Sequence, residues 1–396
     1  HSVGSGRVPP LILAVLVYVL GQLAIGVVVS RRIRTEDDYL LAGRRMGPWL
    51  ASGTIFATWF GAETCLGSAG SVYKYGLSLG TSEPFAYGLC ILFLGLVFAT
   101  RLWRLGLTTL ADFFRTRYSP AVERGAALLM IPTSLLWAAA QIHAFGQVLA
   151  SAAGIAPVSG ILLATGVVLV YTAFGGLMAD AVTDLVQGSC LIVGLVVTLL
   201  GVLAAAGGLD AALARIPAGH LALVPREHGS VLALLETWCM PVLGSVVAQE
   251  LIVRVSASRS ATVARGAALA GGAAYILVGL VPVALGLIGA GLLPGLAKPE
   301  QILPELARTH LSTLGYALFA GALVSAILST VDSTLLVCSS LATHNLVLPY
   351  LKAPDERTKL RLARGGVVVF GLVAFLLALR ADGVGDLVEL ASSLGS

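Results

Sequence analysis

The sequence predicts an all-α, polytopic membrane protein. Three observations carry that prediction: the apolar composition, a series of apolar runs long enough to cross a bilayer, and the placement of basic residues between them. Apolar residues make up 57% of the 396-residue chain and charged residues 12%, roughly half the share of charge in an ordinary soluble domain. Mean hydropathy is +0.91. That leaves too little polar surface to cover a soluble globule of this size. The net charge of +4 is spread over connections and asks for no nucleic-acid partner. The five cysteines (Cys65, Cys90, Cys190, Cys239 and Cys338) stand singly in apolar stretches without metal-ligand spacing, so they read as small packing residues.

A helix needs about 20 apolar residues to cross the hydrocarbon core. Ten runs qualify, with edges near 8–30, 46–73, 82–100, 125–153, 157–176, 183–207, 229–253, 265–292, 312–347 and 365–380. An eleventh begins near 384 and is cut short at Ser396. Arg31, Arg32 and Arg34 follow the first run, the pattern of a retained first span rather than a cleaved leader. The connections 31–45, 101–124, 254–265 and 350–364 hold five, five, three and five basic residues, eighteen of the chain's 25. By the positive-inside rule these four are cytoplasmic and the N-terminus lies outside the cell membrane. Runs 46–73 and 229–253 carry acids mid-run, Glu63 and Glu236, and lie five spans apart. Paired interruptions of this kind point to a midplane binding site in an inverted repeat. The 46 glycines suit close helix–helix approach in lipid.

Charge inside a bilayer costs at least ~2.5 kcal/mol per group at the centre, so intramembrane acids are functional candidates. Those within or at the edge of spans are Glu63, Glu83, Asp184, Glu236, Glu250 and Asp332. Apolar flanks on both sides single out Glu63, Glu83 and Asp332, while Asp184, Glu236 and Glu250 also read as interfacial groups that snorkel. The densest constellation is Ser325-Ala326-Ile327-Leu328-Ser329-Thr330-Val331-Asp332-Ser333. Helical spacing puts Ala326, Ser329 and Thr330 on one face and Ser329, Asp332 and Ser333 on an overlapping stripe. Hydroxyls beside a carboxylate and freed carbonyls suit a hard cation. Helix–helix adhesion is the plainer use of the same hydroxyls. Gln141 and His143 also fall mid-span, and an intramembrane histidine is usually hydrogen-bonded to a neighbour.

Three segments carry a resemblance to a known family. They are Asp37-Asp38-Tyr39-Leu40-Leu41-Ala42-Gly43-Arg44-Arg45, Gly175-Gly176 with Thr183-Asp184-Leu185-Val186-Gln187, and Ser325 to Ser333 running on to Val337-Cys338-Ser339-Ser340. In order and spacing, over about residues 10 to 390, the chain resembles the sodium/solute symporters, which include the sodium/proline, sodium/sugar and high-affinity choline transporters. The resemblance implies a five-plus-five inverted-repeat core of the leucine-transporter type, preceded by one extra helix. It divides the chain into an N-terminal helix and loop over 1–45, a first repeat over 46–207, an extracellular connection over 208–228 and a second repeat over 229–396, with the last core helix truncated.

The same resemblance implies a main sodium site from the carbonyls of Ala57, Phe60 and Ala326 and the hydroxyls of Ser329 and Thr330. It implies a second sodium at Asp184, Ser329, Asp332 and Ser333. For substrate, the sugar branch uses acids and amides where this chain has Glu63, Thr64 and Glu83. The choline branch uses aromatics where it has Trp59, Tyr87 and Trp137; apart from the resemblance, mid-span Gln141 and His143 are further candidates to line the cavity. A further aromatic of the choline branch aligns with Ala248, and Trp59 replaces an acid of the proline branch. An aromatic box favours a quaternary ammonium, although packing and interfacial anchoring use the same residues. The implied function is sodium-coupled import of a cationic, zwitterionic or polyhydroxylated small solute, with sodium as coupling ion and no cofactor. Two readings stand beside it: a symporter-like sensor domain of a signalling protein, and proton coupling through Asp332 or Asp184. The sequence presents no nucleophile–base pair or phosphate loop, so an enzyme is not expected.

Overall fold

The apolar runs become helices with the lengths that the hydropathy requires. In the computed structural model, residues 10–79, 81–153, 155–222, 231–381, 387 and 390–391 are described. The helices in chain order are α1 (Pro10–Ser30), α2 (Glu36–Leu40), α3 (Pro48–Trp59), α4 (Ala62–Tyr75), α5 (Phe85–Phe93), α6 (Ala99–Leu105), α7 (Leu110–Arg117), α8 (Pro120–Ala153), α9 (Pro157–Ala206), α10 (Leu209–Ala214), α11 (Val231–Cys239), α12 (Gln249–Ala257), α13 (Ala261–Leu292), α14 (Ile302–His310), α15 (Thr313–Ser340) and α16 (Glu356–Arg380). Among the described residues, seven helical segments are long and apolar enough to cross a membrane. The truncated last helix expected from 384 onward, and residues 223–230 of the connection, lie largely outside the described residues.

Both expected interruptions are present. The run 46–73 is two helices, because α3 closes at Phe60 and α4 restarts after Gly61. Each half alone is too short to span. The run 229–253 breaks between a π-helical turn at Met240–Gly244 and the start of α12 at Gln249. A third discontinuity lies inside α9, where Gly176 adopts φ 55 and ψ −169. Only glycine takes that conformation readily. A Cβ there would also sit 2.6 Å from the Tyr39 carbonyl oxygen.

The chain groups into two compact units: His1–Ala42 with Ala111–Thr183 and Thr330–Ser396, and Gly43–Leu110 with Asp184–Ser329. Each draws on both of the expected repeats. In the first unit α16 and the π turn Leu341–Val347 pack on α8, over a small-residue core of Ala111, Ala127, Val337 and Leu341. The polar run after Arg34 has a local cause. Thr35 accepts the Asp38 N–H at 3.0 Å while Asp38 accepts the Thr35 N–H at 3.2 Å, a capping box that starts α2. This fixes Tyr39, whose hydroxyl donates to the carbonyls of Thr172 and Ala173 at 3.1 and 3.2 Å. A polar cluster closes the same unit: His344 lies between Glu36 (2.8 Å) and Asp112 (3.4 Å), and Asn345 donates to Asp112 and Glu123. Asp355 caps α16, and the hydrogen bonds from Thr358 hold its carboxyl below the usual carboxylate range.

In the second unit α13 is the central post, packed against α3, α4, α5 and α6. Gly272, Gly279 and Gly286 repeat every seven residues and form its narrow face. At Gly286 a Cβ would stand 2.4 Å from the Ala69 carbonyl oxygen, so α4 approaches backbone to backbone there. The amphipathic α14, which the span analysis does not anticipate, covers α4 and α13 with Ile302, Leu303 and Leu306 buried.

Candidate functional site

The break between α3 and α4 supplies the first chemical element. A helix leaves its last four carbonyls without an intrahelical donor. For α3, capped at Phe60, these belong to Ala57, Thr58, Trp59 and Phe60. Ala57 and Phe60, two of the three expected sodium-binding carbonyls, are thus the first and last of these four. Both residues are buried, at 2% and 0% exposure. Thr64 reaches back from α4 to the Trp59 carbonyl at 3.3 Å.

The second element is a buried ion pair beside that break, all of it within the second unit. Asp184 is 0% exposed and Arg254 on α12 is 1% exposed. The guanidinium Nη2 donates to Asp184 Oδ2 at 3.2 Å and Nε donates to Thr54 Oγ1 at 2.9 Å. Nη1 donates to the Glu250 carbonyl at 3.2 Å. Thr54 passes the contact on by donating to the same Asp184 oxygen, while Thr58 shares its one proton between the Thr54 carbonyl at 2.7 Å and that oxygen at 3.2 Å. Asp184 Oδ1 accepts the hydroxyl of Ser329. A buried carboxylate held this way has a cation and the hydroxyls of Thr54 and Ser329 to offset its burial. The interfacial, snorkelling alternative for Asp184 is therefore replaced by full burial. Arg254, assigned by the span edges to the loop 254–265, is instead an interior residue of a helix.

The acids and aromatics expected to meet substrate also cluster in the second unit. Trp59 and Tyr87 pack edge to face with centroids 5.6 Å apart. Tyr275 on α13 contacts Phe60 edge to face at 5.0 Å and shares a 2.9 Å hydrogen bond with Thr64. Glu63 occupies the first turn of α4, where the helix dipole favours an anion. Glu83 precedes α5 and is half-buried. Glu236 lies on the exposed side of α11, away from the role of a buried acid, and Glu250 is half-buried.

The remaining expected residues belong to the first unit. Asp332 is 0% exposed; its Oδ1 accepts Thr172 at 3.1 Å, and its Oδ2 is buried without a hydrogen-bond partner among the described residues. Ser333 donates to Asp180 at 3.2 Å. Thr330 begins that unit's share of α15, one residue after Ser329. Trp137 is half-buried and Gln141 buried on α8; His143 pairs with the Ala378 carbonyl at 2.8 Å, the hydrogen-bonded role ordinary for such a residue. Sequence reasoning missed Arg254, Thr54, Thr58, Tyr275 and Asp180. Of these, only Arg254 carried a readable signal, as a cation four residues after Glu250 at the end of an apolar run.

Residues 39–395 match the family described as SSF, sodium:solute symporter family. The chain belongs to the sodium:solute symporter family. It is a multi-pass membrane transporter by membership, not an enzyme. Among curated relatives it is 30% identical to the sodium/pantothenate symporter of Escherichia coli (strain K12), over 93% of this chain and 79% of that protein. It is 27% identical to the high affinity choline transporter 1 of Homo sapiens, over 97% of this chain and 70% of the relative. Against the Drosophila melanogaster high-affinity choline transporter 1 the identity is 25%, over 97% of this chain and 64%, just under two thirds, of the relative. A solved Na+-coupled sialic acid symporter in a substrate-bound outward-open state has the same fold: TM-score 0.85, 20% identity, 97% of this chain and 84% of the other. The all-helical membrane fold read from hydropathy is the fold the symporter has.

Proposed function

We propose that this symporter imports a small organic cation or zwitterion, choline-like in chemistry, together with sodium, with its N-terminus outside the cell membrane. The observation that carries the reading is the broken helix α3–α4. It brings into one stretch of chain the carbonyls of Ala57 and Phe60, which lack an intrahelical donor, Trp59 with its partner Tyr87, and Glu63, with Glu83 just before α5. Carbonyl oxygens suit a hard monovalent cation, and Ala326, Ser329 and Thr330 complete the set that the family resemblance implies. Aromatic faces near two acids suit an organic cation by cation–π and charge attraction. They disfavour a free anion. The relatives include transporters named for pantothenate and for choline; the two acids weigh toward the choline side.

The test is uptake into proteoliposomes holding the purified protein, with radiolabelled choline and pantothenate compared under an inward sodium gradient. The reading expects sodium-dependent choline accumulation and weak competition by simple carboxylates. Accumulation of pantothenate alone would overturn the substrate assignment and leave the coupling intact. Proton coupling has one specific observation in its favour, the orphaned Oδ2 of buried Asp332, because an isolated buried carboxylate is stable only when a proton or a cation neutralises it. Uptake that follows a pH gradient and ignores sodium at fixed pH establishes that second reading.

A further inference from the structure

Asp184 is one of four residues that the family resemblance assigns to a second sodium, yet its carboxylate already holds a cation. We propose that Arg254 is the resident counter-cation of Asp184. On this reading the carboxylate aims Ser329 at the one transported sodium instead of ligating a second one. The inference rests on the sodium-symport reading above and deepens it.

Every contact of the carboxylate supports the assignment. Oδ2 receives Arg254 Nη2 at 3.2 Å, Thr58 Oγ1 at 3.2 Å, and the Thr54 hydroxyl, which itself accepts Arg254 Nε at 2.9 Å. Guanidinium, threonine and carboxylate thus close a ring of hydrogen bonds, and the pair is 1% and 0% exposed. A guanidinium cannot give up its proton under any physiological condition. It stays a full charge, and a sodium binding the same oxygen would have to displace it or endure its repulsion. The cost of a buried arginine without its acid makes that displacement unfavourable. Oδ1 receives the hydroxyl of Ser329. A serine has one proton; directed at Asp184, it turns the oxygen's lone pairs toward what lies on its other side. Acceptance is what a sodium ion demands of a ligand. The chain Arg254–Asp184–Ser329 therefore fixes the polarity of one sodium ligand from behind, as outer partners fix metal ligands elsewhere. Arg254 and Asp184 are positioning residues on this account, and Ser329 touches the ion.

The experiment counts sodium. Radiolabelled sodium chloride alone is titrated onto the purified protein in detergent, for the wild type, Arg254→Lys, Arg254→Gln, and the charge-free pair Asp184→Asn with Arg254→Gln. Each is checked for monodispersity and helical content. The expected count is one ion per chain for the wild type and for Arg254→Lys. Arg254→Gln gains a second ion, since its freed carboxylate takes sodium. The charge-free pair returns to one ion, held on the order of tenfold more weakly because a carboxamide aims Ser329 less well. Two ions on the wild type overturn the inference and leave sodium symport standing. No sodium on a folded wild type overturns the symport reading and the inference with it. If Arg254→Gln does not fold, the charge-free pair decides: retention of one ion supports aiming, and complete loss of sodium from a folded sample means Asp184 was a direct ligand and the inference fails.

Discussion

Removing the charge of Arg254 should cost more stability than removing both charges of its pair. At 3.2 Å and an effective dielectric near 20, the attraction between the two groups is about 5 kcal/mol. Much of that offsets the desolvation of two buried ions. The net worth of the pair against a neutral substitute is therefore small, while breaking it from one side leaves an unbalanced buried charge and costs about 3–5 kcal/mol. Arg254→Gln also deprives Thr54 of a donor and leaves Asp184 with hydroxyl partners only. Asp184→Asn takes from the guanidinium the carboxylate that lies 3.2 Å from it. The pair of changes together should cost less than either alone by about 1–3 kcal/mol, so the coupling energy is large and favourable. Equilibrium unfolding in mixed micelles, on all four proteins and at one sodium concentration, measures each corner of the cycle. Additivity within about 0.5 kcal/mol would refute the reasoning, because it would mean that the two side chains do not sense each other.

Three further outcomes are expected. Ser329→Ala with Thr330→Ala should raise the sodium concentration for half-maximal uptake at least about tenfold, the worth of one lost charge-assisted contact, with helical content unchanged; unaltered sodium dependence in proteoliposomes removes these hydroxyls from the ion site. Glu83→Gln should weaken competition by organic cations by about tenfold or more while sparing neutral polyols, since only the charge has changed; equal losses for both solute classes mean that Glu83 shapes the cavity without selecting charge. Gly176→Ala should destabilise by about 1–3 kcal/mol from the backbone conformation alone, with the clash against the Tyr39 carbonyl added, whereas Gly166→Ala, helical and facing open space, should cost nothing and gain up to about 1 kcal/mol; thermal unfolding in detergent compares the two.

The membrane fold was legible because a spanning helix has one dominant demand, a long apolar run, and the chain meets it repeatedly. The helix breaks were legible for a related reason. Glu63 disrupts 46–73 near the point where α3 yields to α4, since backbone freed from a helix and a nearby acid both belong where a polar ligand enters. Glu236 pointed to the right span for a weaker reason, as the break in 229–253 falls nine residues later, at Ser245. The amphipathic α14 escaped notice because nine residues that mix Glu305, Arg308, Thr309 and His310 with apolar ones leave no mark in a hydropathy profile tuned to spans. Thr54 and Thr58 escaped because a threonine on an apolar helix usually satisfies its own backbone, as Thr58 also does through the Thr54 carbonyl.

Arg254 shows why the site was only half readable. Counting basic residues by loop rests on the premise that no cation lies inside the bundle, so an arginine at a span edge is credited to the loop. The same premise leaves a buried acid such as Asp184 without an assigned partner, and sodium then fills the gap by inference. Both readings follow from that one premise, seen from either end. An acid and a base at the edges of different apolar spans, here 70 positions apart, each costly alone, are cheapest when buried together. Pairing them is a reading the sequence permits before any coordinate is known. It also changes the function inferred, because a carboxylate that already holds an arginine has no further charge to lend a transported ion.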